Sequence, residues 1–282
     1  MAMTIDAIAT IREETERSVA ALSATAPDQR VPTCPDWTAD DLLWHLTEVH
    51  EFWARILADA VTSQEEVIAI EEGSAERPVE REALLARRAA ATEALLAQLA
   101  ERGDEDPAWF WYSAVQGVGI IRRMQVHEAT IHRVDAELAA GRPVTPIAPQ
   151  IAADGLAHVL EVMWPAGHEW IPDWAEPRPV AVAEIVPEGG TSRLVEISRW
   201  TGTRPRDGRE LDVPVARLLP EGRTPGDLPR ARAAGTAQAL DLWAWGRGEA
   251  VAHLADAERQ VALQGDSAGI AQLESLIAEG HD

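Results

Sequence analysis

Residues 113–140 read SAVQGVGIIRRMQVHEATIHRVDAELAA, and the spacing inside this stretch decides the architecture of the first half of the chain. Ile121, Met124, Glu128, Ile131, Asp135 and Leu138 recur every three or four residues, which is the stripe of an amphipathic helix. Gly141-Arg142-Pro143 stops it, because glycine ends a helical turn readily and proline cannot extend one. Two stripe positions, Glu128 and Asp135, are carboxylates, and an inward carboxylate is costly unless it is paired or ligating. His132 follows Glu128 by four residues, one turn on along the same face.

Working back toward the N-terminus, residues 31–61 read VPTCPDWTADDLLWHLTEVHEFWARILADAV. Pro32 and Pro35 hold the start extended. Thr38 is placed to cap a helix, with Asp41 three residues on as in a capping box, and Asp40 and Asp41 suit the positive end of the helix dipole. The stripe of this helix is Leu42, Leu46, Val49, Trp53 and Ile56, and His45 falls on it, three residues after Leu42 and four before Val49. Ile5, Ile8, Ile11, Val19 and Leu22 predict a further helix over 4–24, ended by Pro27. The Ala- and Leu-rich run 79–102 predicts another, closed by Gly103 and Pro107. The polar stretch SQEEVIAIEEGSAERPVE at 63–80 reads as surface loop. Four helices with a long 62–78 connection predict a four-helix bundle.

The pattern changes after PVTPIAPQ at 143–150. A helix is expected over 149–163, followed by the Trp- and Pro-rich segment WPAGHEWIPDWAEPRP. PVAVAEIV (179–186) and RLVEISRW (193–200) alternate apolar and polar residues around PEGGTS, a hairpin signal. ELDVPVARLL (210–219) and QVALQGD (260–266) are further strands; ARAAGTAQALDLWAWGR (231–247) and AGIAQLESLIAE (268–279) are helices. The expected architecture is therefore two domains: an all-helical one over 1–147 and a small α+β one with a mostly antiparallel sheet over 148–282.

Composition narrows the function. Acidic residues number 47 against 25 basic ones, for a net charge of −22, so the chain repels nucleic-acid phosphates and anionic membrane surfaces. No apolar run reaches the ~18 residues that span a bilayer, and the N-terminus lacks the basic start and apolar core of a signal peptide. A single cysteine, Cys34, excludes an intrachain disulfide and suits a reducing cytoplasm. Cys34 stands just before a helix N-terminus, where a thiolate is stabilised, but no base adjoins it in sequence and a packed loop cysteine is the plainer reading.

His45, Glu128 and His132 together suggest a divalent metal, since two histidines and a carboxylate leave coordination positions open for water or substrate. The set suits zinc, non-haem iron or nickel. Each residue alone has a plainer explanation: a core histidine, or an E-x-x-x-H pair on a helix surface. Asp135 and Arg133 are placed to orient ligands or substrate, and Asp135 or Glu48 could serve as a general base. His127 points about 100° away from Glu128, and His50 lies off the face of His45; both read as structural or surface residues. Arg122, Arg123, Arg133 and Arg247 are the candidate cations for an anionic substrate, with Arg247 the choice in the second domain.

The blocks VPTCPDWTADDLLWHL and VHEATIHRVDAE, with the weaker AAGTAQALDLWAWGRGEA and VALQGD, resemble the mycothiol-dependent maleylpyruvate isomerase family over almost the whole chain. The resemblance implies a DinB-like metal-binding helical bundle followed by a sterol-carrier-like α+β domain. It also implies a metal, usually zinc, on a second-helix histidine and on the Glu and His of E-x-x-x-H, which match His45, Glu128 and His132. Mycothiol would be the cosubstrate, its thiol activated at the metal to attack an electrophilic small molecule as an isomerase or an S-transferase. The competing readings are a metal-dependent hydrolase or lyase on the same ligands and a non-enzymatic binding protein.

Overall fold

The computed structural model describes residues 5–279, apart from 74, 168, 170, 172–174, 205–206, 221, 223–225 and 256–258. The chain divides into two compact units, 1–145 and 146–282.

The first unit is built on four long helices, α1 (Ala7–Ser23), α2 (Ala39–Ala58), α4 (Arg81–Ala100) and α5 (Val118–Ala139), with a short α3 (Gln64–Glu72) between α2 and α4. α1 runs along α5 and α2 along α4. A two-stranded antiparallel hairpin, β1 (Arg30–Val31) with β2 (Cys34–Thr38), leads into α2. There the capping box forms as its sequence predicts: the Thr38 hydroxyl accepts from the Asp41 amide, and the Asp41 carboxylate accepts from the Thr38 amide at 2.9 Å. Leu42, Leu43, Leu46, Leu22, Leu84, Val31 and Cys34 form one buried cluster that locks the hairpin onto the helices.

Three local expectations change. α3 occupies the stretch read as a surface loop; Ser63 caps it and Glu66 reaches back to the Ser63 amide, while Val67 and Ile70 are buried. α5 starts at Val118 rather than 113, because Gly117 turns the chain with φ 107° and its amide is tied to the Ala108 carbonyl. α5 is also buried around most of its circumference rather than along one stripe, so Gln125, His127, Thr130, Arg133 and Glu137 are as sequestered as Glu128 and His132.

The second unit holds a five-stranded sheet in the order β5–β4–β3–β6–β7, from β3 (Arg178–Pro187), β4 (Arg193–Thr203), β5 (Glu210–Leu218), β6 (Arg230–Gly235) and β7 (Ala262–Gly265). All pairings are antiparallel except β3 with β6. The β3–β4 hairpin stands where the alternating runs predict it, and Gly189 takes φ 70° in its turn. The stretch from 231, expected to be wholly helical, divides: RARAAG is strand β6, and Thr236 then caps the shorter α8 (Ala237–Ala244). α6 (Pro149–His158) packs against α8 and continues through a π-helical turn, Val159–Met163, into the short α7 (Trp164–Ala166). α9 (Ser267–Ala278) lies against the sheet. Trp170 and Trp174 of the Trp-rich segment, and Gly280 beyond the last helix, lie outside the described residues. Among the described residues, no helix is long and apolar enough to cross a membrane.

Candidate metal centre

α2 and α5 bring His45, Glu128 and His132 together: one donor atom from each lies within 4.8 Å of the others. His45 Nε2 is 3.1 Å and His132 Nε2 3.3 Å from the same oxygen, Glu128 Oε1. The two imidazoles meet edge to face at 4.8 Å between ring centroids. Glu128 and His132 are buried, whereas the His45 side chain keeps 26% of its surface, so the cluster is reachable from one side.

Behind His132 the structure is closed. His132 Nδ1 lies 2.8 Å from Asp135 Oδ2, and Asp135 has no exposed surface. The Thr33 hydroxyl donates to the other Asp135 oxygen, and the Cys34 thiol sits 3.8 Å from Oδ2. With Asp135 accepting from Nδ1, Nε2 is the His132 nitrogen that faces Glu128 and His45. Burial works to raise the Glu128 carboxyl, but the charges and hydrogen bonds of His132 and His45 overcome it and hold it well below the usual carboxylate range. Burial works equally to lower His132; Glu128 and Asp135 prevail and push it up to about 10.

The donor chemistry fits a metal. Three nitrogen and oxygen donors converge, one imidazole is fixed by a carboxylate behind it, and an ion would replace the proton on His132 Nε2 that faces Glu128.

The other predicted residues are placed as follows. Arg133 is fully buried, but its guanidinium is engaged with Glu14 at 2.6 Å, Glu137 at 2.8 Å and the Thr145 carbonyl at 2.7 Å. One residue past His132 rotates it about 100° around the helix, away from the three donors and onto α1. Arg122 donates to the carbonyls of Leu99 and Arg102 and pairs with Asp104. Arg247 belongs to the second unit, buried, with Nη1 on the Trp245 carbonyl at 2.8 Å. Glu48 is exposed on α2. His50 is no surface residue: it is fully buried, with Nδ1 3.2 Å from the Thr92 hydroxyl and Nε2 3.5 Å from Arg88. His127 is also buried.

Two contributors were not singled out in the sequence. Trp37 lays its indole 4.7 Å from the His45 ring and 6.0 Å from that of His132. Thr33 anchors Asp135 from the loop between β1 and β2. Both lie in the PTCPDWT block; its conjunction with E-x-x-x-H-R-x-D was the available signal.

Residues 8–137 match the family model described as the mycothiol maleylpyruvate isomerase N-terminal domain. The match covers most of the first unit. The match spans the elements that supply His45, Glu128 and His132. Two solved structures share the fold. One is a crystal structure of the mycothiol-dependent maleylpyruvate isomerase, with TM-score 0.53 and 15% identity, covering 86% of this chain and 89% of that one. The other is a histidine-to-alanine mutant of the mycothiol-dependent maleylpyruvate isomerase, with TM-score 0.52 and 15% identity, covering 90% of this chain and 95% of that one. No curated protein matches the sequence.

Proposed function

We propose that this chain is a metal-dependent, mycothiol-using enzyme, a cis–trans isomerase or thiol S-transferase. In this reading His45 Nε2, Glu128 and His132 Nε2 hold a divalent metal, zinc being the one the family resemblance implies. The observation that carries it is the convergence of those three donors within 4.8 Å, inside a domain of the mycothiol maleylpyruvate isomerase family. When bound, such a metal lowers the pKa of an adjacent thiol, giving near neutral pH a thiolate able to add to an electrophilic alkene.

The protein's own part is positional. Asp135 fixes the tautomer and orientation of His132, and Thr33 and Cys34 fix Asp135. Glu128 brings one negative charge between two imidazoles. Trp37 lays its indole against the His45 ring. Asp135 is sealed behind His132 with both oxygens engaged, so it does not supply the accessible general base of the hydrolytic reading.

Elemental mass spectrometry on the wild type and on His45→Ala, Glu128→Ala and His132→Ala tests the proposal. The expected result is about one zinc per chain in the wild type and loss in each folded variant, together with turnover of a cis-alkene diacid that requires mycothiol. A wild type that takes up no divalent metal on reconstitution removes the reading.

A further inference from the structure

The two imidazoles of the centre are held by different means. His132 has a carboxylate behind it: Nδ1 lies 2.8 Å from Asp135 Oδ2, and Asp135 is tied in turn to the Thr33 hydroxyl. His45 has no such support. Its side chain makes one hydrogen bond among the described residues, from Nε2 to Glu128 Oε1 at 3.1 Å, and that is on the ligand side. Glu48, one turn further along α2 and exposed, does not bond to it. A ligand histidine ordinarily donates its second ring nitrogen to a carboxylate, a carbonyl or water, which fixes the ring and raises its basicity.

What meets the His45 ring instead is aromatic. The Trp37 indole stands 4.7 Å from it at an interplanar angle of 40°, and His132 meets it edge to face at 4.8 Å and 70°. Trp37 also lies 6.0 Å from the His132 ring, so the three rings form one group. All three separations are those of aromatic rings in contact. The indole has a firm base. Trp37 belongs to β2, which is paired with β1, and it directly precedes Thr38, whose capping box starts α2. One side of Trp37 packs on the buried cluster that includes Val31, Leu42 and Leu46.

We propose that Trp37 is a positioning residue for His45: its indole does by contact what Asp135 does for His132 by hydrogen bond, and it orients the ring without giving Nδ1 an acceptor. The inference rests on the metal reading above. It makes the two histidines unequal ligands. His132 is the fixed and more basic imidazole; His45 is the less basic one, and its geometry is lost when the packing on it is cut. The β1–β2 hairpin then serves both histidines, Thr33 and Cys34 through Asp135 and Trp37 directly.

The test is Co2+ binding and the visible cobalt spectrum of full-length wild type, Trp37→Leu and Trp37→Phe, with His45→Ala as the reference for a centre lacking that ligand. Leucine keeps apolar packing on the hairpin cluster and removes the ring; phenylalanine keeps a ring. Trp37→Leu is expected to bind Co2+ about tenfold more weakly, with a spectrum moved toward that of His45→Ala, while Trp37→Phe stays within about threefold of wild type with its spectrum retained. Urea unfolding of the metal-free proteins separates this from damage to the core. A merely structural Trp37 would lower that stability and leave the cobalt spectrum and affinity of the folded Trp37→Leu variant unchanged, and that result overturns the proposal. So does a Trp37→Phe centre as impaired as the Trp37→Leu one. A wild type that loads neither cobalt nor zinc would instead fail the metal reading, and this inference with it.

Discussion

Each unit of this protein buries one carboxylate in a setting that bends its chemistry, and the two bend it in opposite directions. Glu128 lies between His45 and His132 and is held well below the usual carboxylate range despite its burial. Asp241, on α8, is pushed well above that range: burial raises it, the Trp245 indole opposes, and the nearby Asp154 raises it further. Asp241 Oδ1 has no hydrogen-bond partner among the described residues. Burial is common to both, so it cannot explain the difference. The neighbours do: two imidazoles that accept protons in one case, an indole, a glycine and a second acid in the other. The first arrangement prepares a charged ligand for a cation. The second favours a neutral acid packed within a helix pair.

The largest break in that comparison is expected from Glu128→Gln, which keeps the shape and removes the charge. Zinc affinity should fall by more than the ~10–100-fold usual for losing a partner behind a metal ligand, because a ligand itself is lost. Competition against a chromogenic chelator measures it, and a fall of only a few-fold would show that Glu128 does not ligate.

Asp241→Asn should act on stability rather than on metal. The folded-state pKa of Asp241 is raised, so the folded protein holds this proton more tightly than the unfolded chain. Its contribution is therefore fully present below the unfolded value of about 3.9 and is lost as pH rises toward the folded value. Asparagine removes that dependence. Denaturant titrations from pH 4 upward should show the variant gaining on the wild type as pH rises, then a constant gap; parallel curves would mean that Asp241 is charged in the fold.

Gly155→Ala probes the same pocket by volume. A Cβ on Gly155 would stand 2.6 Å from Asp241 Oδ1 and 2.7 Å from Oδ2, so α6 and the Asp241 side chain cannot both stay in place. The expected cost is about 1–3 kcal/mol, with much of it recovered in the double variant carrying Asp241→Ala. Additive losses would place the strain elsewhere.

The contrast between the units also marks what the sequence could disclose. The meeting of His45, Glu128 and His132 was legible because helical spacing sets each on the apolar stripe of its segment, although α5 is buried on its other faces as well. Arg133 was misplaced by its nearness in sequence to His132; one step of 100° sends it to Glu14 on α1. Arg87 and Arg88 are alike in sequence, and only the packing of α4 against α2 separates a surface pair from a buried cation. β6 was hidden because RARAAG is rich in alanine and adjoins a helix cap, while its strand state comes from parallel pairing with β3 nearly fifty residues earlier. α3 carried a readable Ser63–Glu66 capping box, but its apolar content is slight, and Val67 and Ile70 become informative only once α2 lies beneath them.

Thr33 is the smallest and sharpest case, because its role depends on a contact spanning 102 residues of chain. Thr33→Val keeps the volume and removes the hydroxyl that holds Asp135. Asp135 would retain its contact with His132 and the weaker one with Cys34. A hydroxyl hydrogen bond to a carboxylate is worth about 1.5–3 kcal/mol, and a part of it of about 1 kcal/mol transmitted through Asp135 to His132 lowers zinc affinity about fivefold. Asp135→Asn, which alters the group that His132 itself touches, should cost the larger ~10–100-fold. If the two substitutions instead cost the same, Thr33 and Asp135 act as one unit, and the hairpin before α2 is as much a part of the centre as α5.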